Sequence, residues 1–208
     1  MNAKVVIMGA GGHATEVLDA VIQDWDEQDI VFFDNVSEPD PNRKIFGTFS
    51  VVDTLETVEF ARYFFLGVGK ERARKVLTEI AVSRGLQHLG VRDPSAKVGA
   101  YGVVLAPTVD LMANVTLSSG VSVGKGTLLN RGVNIHHDAS IGEGCEIGPD
   151  ATILGRVSIG DKTFIGSRAV IMPDTTIGQK VVVGAAALVT KDVPDNVTVF
   201  GAPANIKR

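Results

Sequence analysis

The sequence predicts a small α/β half-domain over residues 1–92, followed by a parallel β-helix of six-residue repeats over 93–208. Three observations carry this. The apolar run Lys4–Met8 breaks at Gly9-Ala10-Gly11-Gly12 and passes into a helical pattern. Two further apolar runs, Ile30–Asn35 and Tyr63–Gly69, alternate with helical stretches, which is the pattern of a small parallel sheet. From Leu105 to Val189 every sixth residue is aliphatic and branched, fifteen positions in succession. Neither the period of a helix nor that of a strand produces such a step. A solenoid that turns a corner every six residues does.

Each element follows from its own residues. Lys4-Val5-Val6-Ile7-Met8 reads as a buried strand, and His13 to Trp25 as a helix with Val17, Ala20 and Val21 on one face. Ile30 to Asn35 is a second strand that ends in an acid. Tyr63 to Gly69 is a third, and Lys70 to Gly85 is a helix closed by its glycine. Beyond Asp93-Pro94 the positions two before many inward aliphatics are small or β-branched: Val133, Ala139, Cys145, Ala151, Val157 and Thr163. Glycine often follows the aliphatic, as at Gly124, Gly142, Gly148, Gly160, Gly166, Gly178 and Gly184. Three units make an 18-residue triangular coil, and roughly five coils stacked about 4.8 Å apart would stand about 25 Å tall. The glycine slot is instead His136 after Ile135, Leu154 after Ile153, and Met172-Pro173 after Ile171.

Composition narrows the function classes. A chain that is 45% hydrophobic and 21% charged reads as soluble and globular, while 23 glycines against 6% aromatics point to a turn-dense, repetitive architecture. A net charge of −4 disfavours nucleic acid or an anionic membrane as the main partner. The first apolar run is too short for a signal peptide's core, and none approaches the roughly 18 residues of a membrane span. The lone Cys145 excludes an internal disulfide, which fits the cytoplasm.

Candidate chemistry lies in two places. Asn134-Ile135-His136-His137-Asp138 places His137 two residues past an inward isoleucine, near a corner where a side chain leaves the wall. An imidazole with a pKa near 6.5 suits a proton acceptor, and Asp138 would orient it. A solvated polar corner fits the same residues, and both readings stand on spacing alone. A metal site is disfavoured, because three consecutive residues rarely converge on one ion and Cys145 occupies an inward slot. Gly155 follows His137 by 18 residues, one full coil, so the two stack. With no arginine beside the motif in sequence, a backbone amide is the expected oxyanion donor.

In the first domain, Gly9-Ala10-Gly11-Gly12-His13-Ala14 fits the glycine-rich dinucleotide fingerprint, with Asp34 downstream. The domain is too short for two mononucleotide-binding halves, so a half-site for one nucleotide is the better reading. Amides from Gly11 to Ala14, with Gly12 and His13, would hold a pyrophosphate. Asp34 or Asn35 would contact base or ribose, with Gly69 and Lys70 beside them at the carboxyl edge of the sheet.

The GAGGH loop, the repeats carrying HHDASIG and the terminal VFGAPA together resemble the nucleotide-sugar acetyltransferases over nearly the whole chain. These include bacillosamine-pathway and perosamine N-acetyltransferases and sialic-acid O-acetyltransferase relatives. The resemblance implies a Rossmann-like half-domain, a left-handed β-helix, and a homotrimer with active sites between neighbouring subunits. It also implies acetyl-CoA as co-substrate with no metal, and a UDP- or GDP-linked amino sugar as acceptor. The setting it implies is cytoplasmic surface-polysaccharide biosynthesis. On the family pattern His137 is the general base supported by Asp138, and Gly155 supplies the oxyanion amide. Glu146 stands where the family often has a second histidine, and is a candidate sugar contact. The pantetheine arm would pass Gly155, Gly166, Gly184 and Ala185, although these glycines equally suit ordinary repeat turns. Lys191, Lys207 and Arg208 are candidates for the CoA phosphates. Transfer to a hydroxyl, a non-catalytic β-helix scaffold and a nicotinamide oxidoreductase are the competing functions.

Overall fold

The computed structural model describes residues 4–38, 40 and 42–207. The chain divides into two compact units, residues 1–91 and 92–208.

The first unit runs β1 (Val5–Met8), α1 (Gly12–Val21), β2 (Ile30–Phe33), β3 (Lys44–Ile45), β4 (Phe49–Val52), β5 (Tyr63–Leu66), α2 (Glu71–Ser83) and β6 (Gln87–His88). The sheet order is β3-β4-β2-β1-β5-β6. All pairings are parallel except β3 with β4. All four residues of β1 are fully buried, so the strand is apolar throughout instead of alternating.

Several elements are shorter than the sequence suggested. β5 stops at Leu66 because Gly67 lies against α1; a Cβ there would come within 2.6 Å of the Ala14 Cβ. α1 stops at Val21, four residues before Trp25, where the Ile22 N–H closes the last turn on Leu18 O at 2.9 Å. The β3–β4 hairpin was not legible in the sequence. Its turn uses Phe46 (φ 51°) and Gly47 (φ 70°), two successive left-handed residues as a tight hairpin of this type needs.

The second unit is a three-faced parallel β-helix. Face A carries Lys97–Val98, Thr116–Leu117, Asn134–Ile135, Thr152–Ile153, Val170–Ile171 and Leu188–Val189. Face B carries Val104–Leu105, Ser122–Val123, Ser140–Ile141, Ser158–Ile159 and Thr176–Ile177. Face C carries Asp110–Leu111, Leu128–Leu129, Glu146–Ile147, Phe164–Ile165, Val182–Val183 and Thr198–Gly201, with Ala204–Ile206 returning antiparallel. Ile135 pairs with Ile153 and Ile153 with Ile171, one coil apart. Ile135, Ile147, Ile153, Ile165 and Ile171 are all fully buried and fill the prism.

Face A has six strands among the described residues, one more than the repeat count suggested. Val98 pairs with Leu117 one residue out of step, and Val199 pairs with Val183 two residues short of a full coil. Both ends of the solenoid therefore leave the six-residue period.

Two rules govern the corners. The residue three past each inward aliphatic is left-handed, with φ between 53° and 77° from Gly120 through Asp138, Arg156 and Asp174 to Lys180. The slot directly after the aliphatic is glycine from Gly124 to Gly178 after face B and from Gly148 to Gly184 after face C, because successive coils touch there; a Cβ on Gly124 would lie 2.7 Å from the Gly142 carbonyl carbon. The third corner, from face A to face B, carries Ser118, His136, Leu154 and Met172 in that slot. Every departure from the repeat noted in the sequence falls on this one column.

Candidate active site

The corner from face A to face B stacks Ser119, His137, Gly155 and Pro173 in one column and Gly120, Asp138, Arg156 and Asp174 in the next. Rungs tie them together: Asp138 N–H donates to Ser119 O (3.1 Å), Arg156 N–H to His137 O (3.0 Å) and Asp174 N–H to Gly155 O (3.1 Å).

Two adjacent residues need not meet, but these do. His137 Nδ1 lies 2.8 Å from Asp138 Oδ2. A carboxylate can only accept, so Nδ1 carries the proton and the lone pair is left on Nε2. The left-handed backbone at Asp138 (φ 59°) aims its carboxylate back at the ring, and Gly120 on the preceding coil makes room, since a Cβ there would collide with Asp138 Oδ1. About half of each side chain is exposed, 53% for His137 and 63% for Asp138, so the pair is open to a substrate.

Nε2 lies over Gly155. A Cβ on Gly155 would fall 2.6 Å from His137 Nε2 and 2.7 Å from Cε1; only glycine accommodates the ring. The Gly155 N–H donates to nothing among the described residues. An unshared imidazole nitrogen thus stands beside an unshared amide, a pairing able to accept a proton and to donate to a developing oxyanion.

Sequence reading missed an arginine here. Arg156 lies one coil beyond Asp138, with Nε 2.6 Å from Asp174 Oδ1 and Nη2 2.8 Å from Asp174 Oδ2. The bond to Asp174, then its charge, raises the Arg156 pKa, and Arg156 lowers that of Asp174. Reading the sequence in steps of 18 from Asp138 finds both residues.

Other predicted positions lie elsewhere. Glu146 is on face C and does not share the His137 corner. Gly166, Gly184 and Ala185 are on the corner from face C to face A, where a Cβ on Gly166 would lie 2.5 Å from the Ala185 nitrogen. Contact between coils is thus enough to require glycine at 166. Lys191 is exposed two residues past Val189, on the His137 column. The Lys207 N–H donates to Thr198 O at 2.7 Å, and Arg208 lies outside the described residues. Among the described residues no three His, Cys, Asp or Glu side chains converge as metal ligands, and no helix is long and apolar enough to cross a membrane.

In the first unit, Gly11 and Gly12 begin α1 with open space where a side chain would stand. The Ala14 amide, expected to face a ligand, instead donates to Gly11 O at 3.0 Å, as a helix closing its first turn requires. The His13 ring turns along its own helix, with Nδ1 3.2 Å from Glu16 Oε2; its buried Nε2 has no partner among the described residues.

Asp34 serves its own loop. Oδ1 accepts from the Val36 amide (3.0 Å) and the Ser37 amide (3.3 Å), while Oδ2 accepts from Ser37 Oγ (2.8 Å) and Arg43 Nη1 (2.6 Å). Burial would raise its pKa, but the Val36 amide, Arg43 and Ser37 outweigh burial and hold it below the usual carboxylate range. Asn35 and Lys70 are exposed and Gly69 is half-buried beside them in sequence. Lys70 is the N-cap of α2, and the sequence-silent Arg74 is buried against the preceding loop, with Nη1 3.1 Å from Val68 O.

Comparison with known proteins agrees with both units. Residues 4–81 match the PglD N-terminal domain, and residues 120–155 and 156–191 match the bacterial transferase hexapeptide of six repeats. No curated protein matches the chain. A histidine-to-asparagine mutant of perosamine N-acetyltransferase from Caulobacter crescentus, solved with CoA and GDP-perosamine, is 30% identical over 99% of this chain and 97% of that one, with a TM-score of 0.83. The acetyltransferase domain of PglB from Neisseria gonorrhoeae is 30% identical, over 99% of this chain and all (100%) of that one, with a TM-score of 0.84. WeeI from Acinetobacter baumannii is 27% identical over 99% and 100%, with a TM-score of 0.89. The chain belongs to the nucleotide-sugar acetyltransferase family, which joins a PglD-type N-terminal half-domain to a left-handed hexapeptide β-helix.

Proposed function

We propose that the protein transfers the acetyl group of acetyl-CoA to the amino group of a nucleotide-linked amino deoxysugar, with His137 as general base. The observation that carries this is the stacking of His137 on Gly155: a free Nε2, oriented through Nδ1 by Asp138, beside an amide with no other partner. The similarity to a perosamine N-acetyltransferase and a PglB acetyltransferase domain supports the amine acceptor and the co-substrate.

Each residue then has a task. His137 Nε2 takes a proton from the amine as its nitrogen attacks the thioester carbonyl carbon. The Gly155 N–H donates to the carbonyl oxygen as it gains charge. Asp138 holds the imidazolium that forms. When the carbon–sulfur bond breaks, His137 returns the proton to the departing thiolate, which leaves amide, thiol and enzyme in balance. Gly11, Gly12 and His13 supply the amides that would meet the sugar's diphosphate at the α1 N-terminus. Asn35, Gly69 and Lys70 are the further nucleotide contacts; Asp34 acts by shaping the loop beside them.

The working assembly is a homotrimer. The family resemblance supports this, and the position of Glu146, away from the His137 corner of its own chain, supports a site that a second protomer completes. The consumption of acetyl-CoA and the single reduced Cys145 support a cytoplasmic setting.

The test is a panel of GDP- and UDP-linked amino sugars and their hydroxyl-only counterparts, scored by CoA thiol release. Turnover is expected with amines only, and His137→Ala should lower kcat by about 10²–10⁴-fold. Thiol release with the hydroxyl series alone would reassign the acceptor. Substantial turnover by His137→Ala would remove His137 as the base.

A further inference from the structure

Asp138, Arg156 and Asp174 occupy the same left-handed corner position on successive coils, with φ of 59°, 60° and 61°. Matching backbone conformation sends their side chains out in one direction, about 4.8 Å apart along the solenoid. The cation therefore stands between two carboxylates and is committed to one of them. Its Nε and Nη2 form a two-point bond to Asp174 at 2.6 and 2.8 Å, while Asp138 keeps its oxygen for His137 Nδ1 at 2.8 Å.

Along its own chain, the charges around His137 are few. Ser118, Ser119 and Gly120 on the preceding coil carry none. His136 is its neighbour in sequence. On the following coils come Arg156 and then Asp174, with Lys191 and Asp192 beyond. Asp192 Oδ1 is held by the Thr176 amide at 2.8 Å. Arg156 and Asp174 are thus the nearest charged residues on the column after Asp138. Consistent with this, Arg156 is stabilised by the charge of Asp138 in addition to Asp174, and Asp174 interacts with the charge of His137.

We infer that Arg156 and Asp174 are positioning residues for the catalytic pair, with Asp174 locking Arg156 away from Asp138 so that Asp138 stays on the His137 ring. The inference rests on the reading of His137 as base. Were Arg156 unlocked, its guanidinium would reach back one rung and compete for the carboxylate that orients the imidazole. Were Arg156 absent, Asp174 would be an unpaired anion acting on His137 in addition to Asp138. The two losses therefore push the imidazole in opposite directions.

The test is an NMR titration of the full-length protein labelled in its histidine rings, with His137 assigned by the signal missing from His137→Asn. At low salt Arg156→Gln should raise the His137 pKa, and Asp174→Asn should lower it, each by about half a pH unit. Asp174→Asn should also weaken the Nδ1-protonated tautomer signature. The double variant should return close to the parent, and high salt should bring all four proteins together. Shifts of the same sign in both single variants would overturn the inference, as would unmoved titration with only a lower melting temperature. Neither result depends on turnover, so the activity of His137→Ala remains a separate test of the base itself.

Discussion

Gly155 illustrates how one atom decides a residue. Because a Cβ there would lie 2.6 Å from His137 Nε2, Gly155→Ala keeps the amide but should displace the ring and cost about 10²-fold in kcat, the scale of misplacing a catalytic group by about 1 Å, with the melting temperature little changed. Cys145 is a second case. Thr127 and Thr163 donate their hydroxyls to Gly142 O and Gly178 O at 2.8 Å, and Cys145 Sγ lies 3.2 Å from Gly160 O in the same ladder. Burial pushes the thiol pKa up to about 11. Cys145→Thr should therefore keep the parent's melting temperature, whereas Cys145→Leu should lower it. Asp34 gives the pH-dependent case. Its folded pKa lies below the unfolded value of about 3.9. Its stabilising effect is therefore complete above about pH 4 and is lost as the pH falls from there toward the folded value. Thermal melts should show Asp34→Asn less stable than the parent at pH 7, with the gap beginning to narrow only as the pH falls below about 4. The 18-residue step locates Arg156 and Asp174 in the sequence, but their pairing and the bonds of Asp34 were illegible there for one reason. Each depends on a partner across a coil or a loop, and surface charges carry no periodicity to betray such pairing.

Each coil behaves as an element in its own right. Ile153 is fully buried between Ile135 and Ile171, so Ile153→Ala should cost about 2–5 kcal/mol by denaturant titration. The six-residue step made the faces and their inward residues legible from sequence, because a buried column must stay aliphatic on every rung. The corner glycines were legible too, but their cause was not: Gly124 and Gly166 are forced by the next coil's backbone, a contact absent from any single repeat. Outside the repeat the sequence said less. The β3–β4 hairpin escaped because its strands are too short for alternation to register, and Phe46 holds a left-handed turn position usually given to Gly, Asn or Asp.

For the molecule as a whole, the proposed trimer predicts a sedimentation mass near three times the 21.9 kDa chain; a monomer with full turnover would contradict it. The column that stacks His137 on Gly155 also sets a scale. It makes the β-helix a ruler graduated in steps of about 4.8 Å, on which two groups sharing a corner can only be whole marks apart. Base and amide stand one mark apart. An extra 18-residue coil spliced in after Asp174 should raise the KM for acetyl-CoA, because Gly184 and Ala185 shift by one mark along the proposed CoA path, yet retain kcat. The same length placed between Asp138 and Gly155, with a side chain at the stacking position, should abolish it while the protein still melts cooperatively. Such a chain can be lengthened or shortened only in whole graduations, and its chemistry can travel along the ruler without the fold being redrawn.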